Sequence, residues 1–275
     1  MKSKIIASSV FAIGLMCSTQ ALSQEENSGG LSETEFNALT ASEGYQAMIK
    51  LAPLAADSPE EEEKLSEMIQ MAKAARENFV TDIIDPNEIY DVVIQAGHVP
   101  RRKGATGSTG QHIVEQEGNA LIAELLRPML EAQQMNFRII DADSFEKGPK
   151  VDGTHYIKTN IFLSLHLDGS RKPCASSASL GYNDRTIENG RQNMQLLGFG
   201  LAIALDLKAQ DFMRDNFTKN LSHYGDYGKI DSKIAEGILE MSELSCPDDE
   251  KNFLLSAEII AKNIDTAISF MLKEK

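Results

Sequence analysis

Two histidines and two glutamates stand at points of this chain where alternating strands and helices would present side chains together. His98 follows an apolar, β-rich run, Ile89 to Gln95, by way of Gly97. His166 closes a third such run inside Ser164-Leu-His-Leu-Asp168, Glu115 opens a helical stretch, and Glu240 ends the run Ile238-Leu-Glu240. Two imidazoles and one carboxylate suit Zn2+, which keeps a fourth position for water. The metal lowers the pKa of that water and polarises a carbonyl oxygen. A further carboxylate that is not a ligand can take the water's proton and pass it to a leaving nitrogen. His98, Glu115 and His166 are thus the candidate metal ligands, and Glu240 is the candidate base. Spacing alone leaves competitors, since His112, His155 and His223 are also imidazoles and Glu117 lies beside Glu115.

The elements that must position these residues follow from periodicity. Phe137 to Ile140 reads as a second strand, and Ile157 to Leu167 as a third, strongly apolar one. Ile234 to Met241 contains a short strand candidate. Helical stretches are expected over Glu115 to Gln133, with Leu121, Ile122, Leu125, Leu126 and Leu130 on one side, over Asn189 to Leu207, and over Asn252 to Leu272. Pro128 should kink or shorten the first. A Gly-containing loop with Gly104, Gly107 and Gly110 separates His98 from Glu115. Strands alternating with helices predict an α/β fold, with a twisted, mainly parallel sheet and helices on both faces. In such sheets, sites gather at the carboxyl ends of the strands.

Before this domain, Glu35 to Phe79 has helical spacing broken by Pro53 and Ser58-Pro59, with Glu60 to Glu63 suited to a helix's first turn. Earlier still, Lys2 and Lys4 precede an apolar run, Ile5 to Met16, too short to span a bilayer. Small residues follow to Ser23. Residues 1–23 therefore read as a secretory signal peptide, 24–85 as a helical N-terminal segment and 86–275 as the main domain. Cys17 does not make a lipobox, because Met16 stands where a small residue is wanted. The expected location is periplasmic or secreted, with no membrane span once the signal is removed.

The net charge of −14 disfavours nucleic acid and anionic lipid as partners. Trp is absent and aromatics make up 6%, which argues against a surface of stacked rings. Cys174 and Cys246 remain after processing, and either a disulfide or two buried thiols would satisfy them.

The order of the segments resembles the zinc-dependent N-acetylmuramoyl-L-alanine amidases. Val92-Val-Ile-Gln-Ala-Gly97-His98 matches the strand that runs into Gly-His in that family. Glu115-Gln-Glu-Gly-Asn119-Ala-Leu121 matches its Glu before an Asn-containing helix start, which selects Glu115 over Glu117. Ser164-Leu165-His166-Leu167-Asp168 matches its second histidine motif. Ile238-Leu239-Glu240 through Leu244-Ser245-Cys246-Pro247 and the acids to Glu250 match its catalytic Glu stretch. The resemblance runs from about Tyr90 to Leu272 and implies a peptidoglycan hydrolase that cuts between N-acetylmuramic acid and L-alanine of the stem peptide. It implies Zn2+ on His98, Glu115 and His166, Glu240 as proton shuttle, and muropeptides and a protein activator as partners. A zinc hydrolase of the same fold acting on another amide, or a wall-binding regulator that no longer catalyses, are the alternatives.

Departures concern the cleft walls. Val99-Pro100-Arg101-Arg102 replaces the family's Gly-Gly, Ile140-Asp141 stands where an Arg is common, and Ser242-Glu243 replaces Gly-Phe. Arg101, Arg102 and Lys103 either meet substrate carboxylates or form a solvated loop. Asp168 either orients a ligand from behind or caps the Asp-Gly turn. Resemblance also suggests that Lys208 to Lys229, or the N-terminal helices, cover the cleft; an ordinary surface insertion is the simpler reading.

Overall fold

The computed structural model describes residue 41 and residues 60–100, 107–144, 150–151, 154–155, 157–174, 178–183, 187–205 and 230–273. The expected signal peptide, the basic loop at Arg101 to Lys103, His223 and the stretch from Lys208 to Lys229 lie outside the described residues.

The elements run α1 (Glu60–Glu77), β1 (Ile89–Ala96), α2 (Glu115–Ala132), β2 (Phe137–Asp141), β3 (Lys150–Val151), β4 (Thr154–His155), β5 (Ile157–Asp168), β6 (Ser179–Tyr182), α3 (Gly190–Ala204), β7 (Ile230–Glu243) and α4 (Pro247–Lys273). Five strands form one sheet in the order β2-β1-β5-β7-β6, and β3 pairs with β4 apart from it. Within the five-stranded sheet the pairs β1–β2, β1–β5 and β5–β7 are parallel and β6 runs against β7, while β3 and β4 pair antiparallel. The mainly parallel sheet with helices around it agrees with the α/β expectation.

Some elements differ from the sequence reading, and α4 begins at Pro247, five residues before the expected Asn252. The short strand expected over Ile234 to Met241 is 14 residues long, because β7 lies between two partners and keeps bonding along β5. β6 was not foreseen; at four residues it is too short to show a period. Pro128 does not shorten α2, which continues to Ala132 around it.

Alternation divides the sheet's two faces. Val92, Ile94 and Ala96 of β1 and Ile161, Leu163, Leu165 and Leu167 of β5 join one cluster with Leu121, Leu126 and Leu130 of α2 and with α3 and α4. Met68 and Ala72 of α1 are buried in the same cluster. Ion pairs Lys64–Glu258 and Arg76–Glu117 fasten its rim. On the opposite face Val93, Ile140 and Phe162 form a smaller cluster with Tyr90 and Ile84. Towards the carboxyl ends of the strands that face turns polar at Gln95, Ser164, His166 and Glu240.

Cys174 and Cys246 form a disulfide, which settles the alternative left by the sequence. It ties the chain after β5 to the start of α4. Glu243, fully buried, accepts the Cys174 N–H at 3.0 Å and the Ser245 hydroxyl beside it.

Candidate metal centre

Parallel pairing sends β1, β5 and β7 in one direction, so the residues at their ends meet. His98 lies two residues past β1 and takes a left-handed φ of 62°, which costs a non-glycine residue energy. Neighbouring bonds hold it there: Gly97 N–H to Leu165 O (2.9 Å), Ala142 N–H to Val99 O (2.7 Å), and Asn119 Nδ2 to Gly97 O (3.0 Å). Gly97 must be glycine, since a Cβ would stand 2.5 Å from His166 Cε1.

Glu115 is the first residue of α2 and is 3% exposed. Its Oε2 accepts the Ser108 N–H at 2.7 Å, and Ser108 Oγ in turn donates to Leu167 O at 2.7 Å. Its Oε1 accepts the Leu167 N–H at 3.1 Å. The same Oε1 stands 2.9 Å from His166 Nδ1 and 3.5 Å from His98 Nε2. Burial opposes ionisation of Glu115. The hydrogen bond and charge of His166, the charge of His98 and the Ser108 N–H outweigh it and hold the carboxyl below its ordinary range. Gly107, at φ 84°, makes room, because a Cβ there would lie 2.2 Å from Glu115 Oε2.

One ligand atom each from His98, Glu115 and His166 lie within 4.8 Å of one another. In a tetrahedral zinc site with bonds of about 2.0–2.1 Å, neighbouring ligand atoms stand roughly 3.3 Å apart. The separations of 2.9 and 3.5 Å around Glu115 Oε1 bracket that value. The donor set, two ring nitrogens and a carboxylate with the two rings edge to face at 5.0 Å, fits a divalent cation.

Glu240 sits in β7 as the register partner of His166 and is 6% exposed. Its Oε2 is buried without a hydrogen-bond partner. Burial pushes the carboxyl up to about 8; His166 pulls it down, and Glu115 and Asp168 push it further up. A buried acid of this kind can both hold and release a proton near neutrality.

Glu117 accepts the Val114 N–H at 3.0 Å and faces Arg76, so it caps its own helix. The His112 N–H bonds to Glu250, and His155 lies in β4. Asp168 Oδ1 accepts the Gly169 N–H at 2.7 Å, as a turn cap does. The hydrogen-bond partner on His166 Nε2 is Ser164, at 3.0 Å.

Sequence reasoning missed Ser108, Gln95 and Glu250. Glu250, fully buried in the first turn of α4, accepts the N–H groups of Gln111 (2.7 Å), His112 (2.8 Å) and Ile113 (2.9 Å). It thereby fixes the turn that leads into Glu115. A Cβ at Gly110 would meet its carboxylate at 2.3 Å.

A family model described as N-acetylmuramoyl-L-alanine amidase matches residues 92–269. No curated protein matches the chain. Among solved structures, the N-acetylmuramoyl-L-alanine amidase from Clostridium difficile 630 is 16% identical, with 68% of this chain and 98% of that one covered and a TM-score of 0.46. The catalytic domain of CwlV, an N-acetylmuramoyl-L-alanine amidase from Bacillus (Paenibacillus) polymyxa var. colistinus, is 20% identical over 68% and 99% of the two chains, with a TM-score of 0.46. The CwlD amidase from Clostridioides difficile, solved in complex with the GerS lipoprotein, is 16% identical over 69% and 100%, with a TM-score of 0.43.

Proposed function

The chain belongs to the N-acetylmuramoyl-L-alanine amidase family and is a peptidoglycan amidase, and from that premise we propose that it works through Zn2+ on His98, Glu115 and His166 with Glu240 as acid and base. The observation that carries this reading is the approach of the two imidazoles and the Glu115 carboxylate within 4.8 Å, beside a buried Glu240 with one free oxygen. Bound there, Zn2+ would supply a water acidic enough to ionise near neutrality and would polarise the carbonyl of the lactyl amide. Glu240 takes a proton from the attacking water at Oε2 and returns it to the amide nitrogen as the C–N bond breaks. Water adds to the carbonyl carbon, the stem peptide leaves with a free amino group on L-alanine, and Glu240 ends as it began. Ser108 and the Leu167 N–H keep the Glu115 carboxylate aimed at the two rings throughout.

The remaining parts of the proposal are coarser. Residues 1–23 act as a cleaved signal peptide, and the enzyme works in the periplasm or outside the cell, where its substrate lies. Among the described residues no helix is long and apolar enough to cross a membrane. Residues 24–85 form an N-terminal helical segment, docked through α1, on an amidase unit spanning 86–275. A protein activator belongs to the proposal as the family resemblance implies.

The test is to incubate the full chain with purified sacculi, with and without a chelator, and to weigh the products. Free stem peptides beginning with L-alanine, lost on chelation and restored by Zn2+, are expected. Cleavage at any other bond, or cleavage that the chelator leaves untouched, would refute the reading.

A further inference from the structure

The turn that follows β5, residues 169–174, borders the candidate metal centre. Gly169 lies against Ser108, where a Cβ would come 2.6 Å from the serine Cβ. Ser108 in turn gives its N–H to Glu115 Oε2 at 2.7 Å. Two contacts thus separate the turn from a proposed ligand.

The backbone of this turn is fastened along its length. The Gly169 N–H bonds to Asp168 Oδ1 (2.7 Å), the Ser170 N–H to Ser245 Oγ (2.9 Å) and the Lys172 N–H to Ser170 Oγ (3.1 Å). The Cys174 N–H bonds to the buried Glu243 (3.0 Å), and the disulfide to Cys246 closes the turn against the start of α4. Arg171 and Lys172 nevertheless stand exposed. Among the described residues neither side chain forms an ion pair. In a chain of net charge −14, two neighbouring cations without counter-charges, on a fixed backbone beside the site, suit an anion that arrives from outside.

We propose that Arg171 and Lys172 bind carboxylates of the stem peptide and so determine which stem peptides the enzyme accepts. This rests on the amidase reading above. The contact is charge-assisted, and a guanidinium can take a carboxylate in two parallel hydrogen bonds. Because the turn is already ordered, little backbone freedom is lost when the substrate arrives. A stem peptide whose carboxylates are amidated loses this contact but keeps the bond to be cut.

The experiment compares the full chain, Arg171→Gln/Lys172→Gln, and a control that removes the same charge elsewhere, Lys64→Gln on α1 with Lys233→Gln near the start of β7. Thermal unfolding and Zn2+ content confirm that all three are folded and loaded. Each is given purified sacculi below saturation, either native or with their carboxylates converted to carboxamides. The parent is expected to release stem peptides from native sacculi about 5- to 10-fold faster than from amidated ones. Arg171→Gln/Lys172→Gln should lose most of that preference through a slower rate on native sacculi, and the control should keep it. High salt should shrink the preference of the parent. A parent without preference, an equal loss on both substrates, or a control that loses as much as the turn variant overturns the proposal. A parent that frees no stem peptide from either form fails the amidase reading itself, and the proposal with it.

Discussion

Glu240 on β7 faces His166 on β5 as its direct partner across a parallel pair. One strand thus brings an imidazole of the candidate metal centre, and its neighbour brings a buried acid, to the same level of the sheet. The two do different work in the proposed reaction, so their substitutions separate. Glu240→Gln is expected to keep its Zn2+ content while turnover on sacculi falls by about 10^2- to 10^4-fold. His166→Ala is expected to lose both. Metal analysis beside product release checks the split, and an active Glu240→Gln enzyme would end Glu240's role.

Glu250 makes three hydrogen bonds to the backbone of residues 111–113. Glu250→Ala strips buried N–H groups of their partner and is expected to cost about 3 kcal/mol or more of stability. The turn before Glu115 would loosen with it. Urea unfolding of the metal-free protein should show the loss, and chelator competition a weaker hold on Zn2+.

Glu236, buried on β7 with Asn183 and Ser232 beside it, has its carboxyl pushed up to about 7 by burial, against those hydrogen bonds. A carboxyl whose folded value is raised holds its proton more tightly in the native state. Its contribution is full below the ordinary carboxylate value of 4.5 and is lost as pH rises through about 7. Stability should therefore fall by roughly 2–3 kcal/mol over that window. Glu236→Gln should flatten the fall, measured as denaturation midpoints from pH 4.5 to 8.

The disulfide closes a loop with a sequence separation of 72 residues. Loop-closure entropy for such a length is worth about 4 kcal/mol. A Cys174→Ser/Cys246→Ser variant is expected to unfold at markedly lower urea concentration. An unchanged midpoint would show that the unfolded chain gains little freedom from losing the bridge.

The strands that carry His98 and His166 were legible because a buried parallel strand writes itself as an unbroken apolar run. Glu240 was harder to place. β7 includes Lys233, Glu236 and Gly237, which interrupt any simple pattern, and only the pairing with β5 shows that it runs on to Glu243. Choosing Glu115 over Glu117 required the family resemblance; in the structure the reason is that Glu117 is occupied by its own helix start and by Arg76. Glu250 entered the sequence reading only as the last acid of a family motif, ahead of the helix expected from Asn252. Its partners lie nearly 140 residues earlier, where no local pattern reaches.

That long reach sets the order in which the site comes together. Both histidines and Glu115 leave the ribosome well before α4 does, yet the turn ahead of Glu115 has no carboxylate to grip until Glu250 folds back onto it. A chain still being made, or cut short before Pro247, holds the chemical groups of a wall-cutting enzyme without the brace that aligns them. Cutting power arrives only with the last helix.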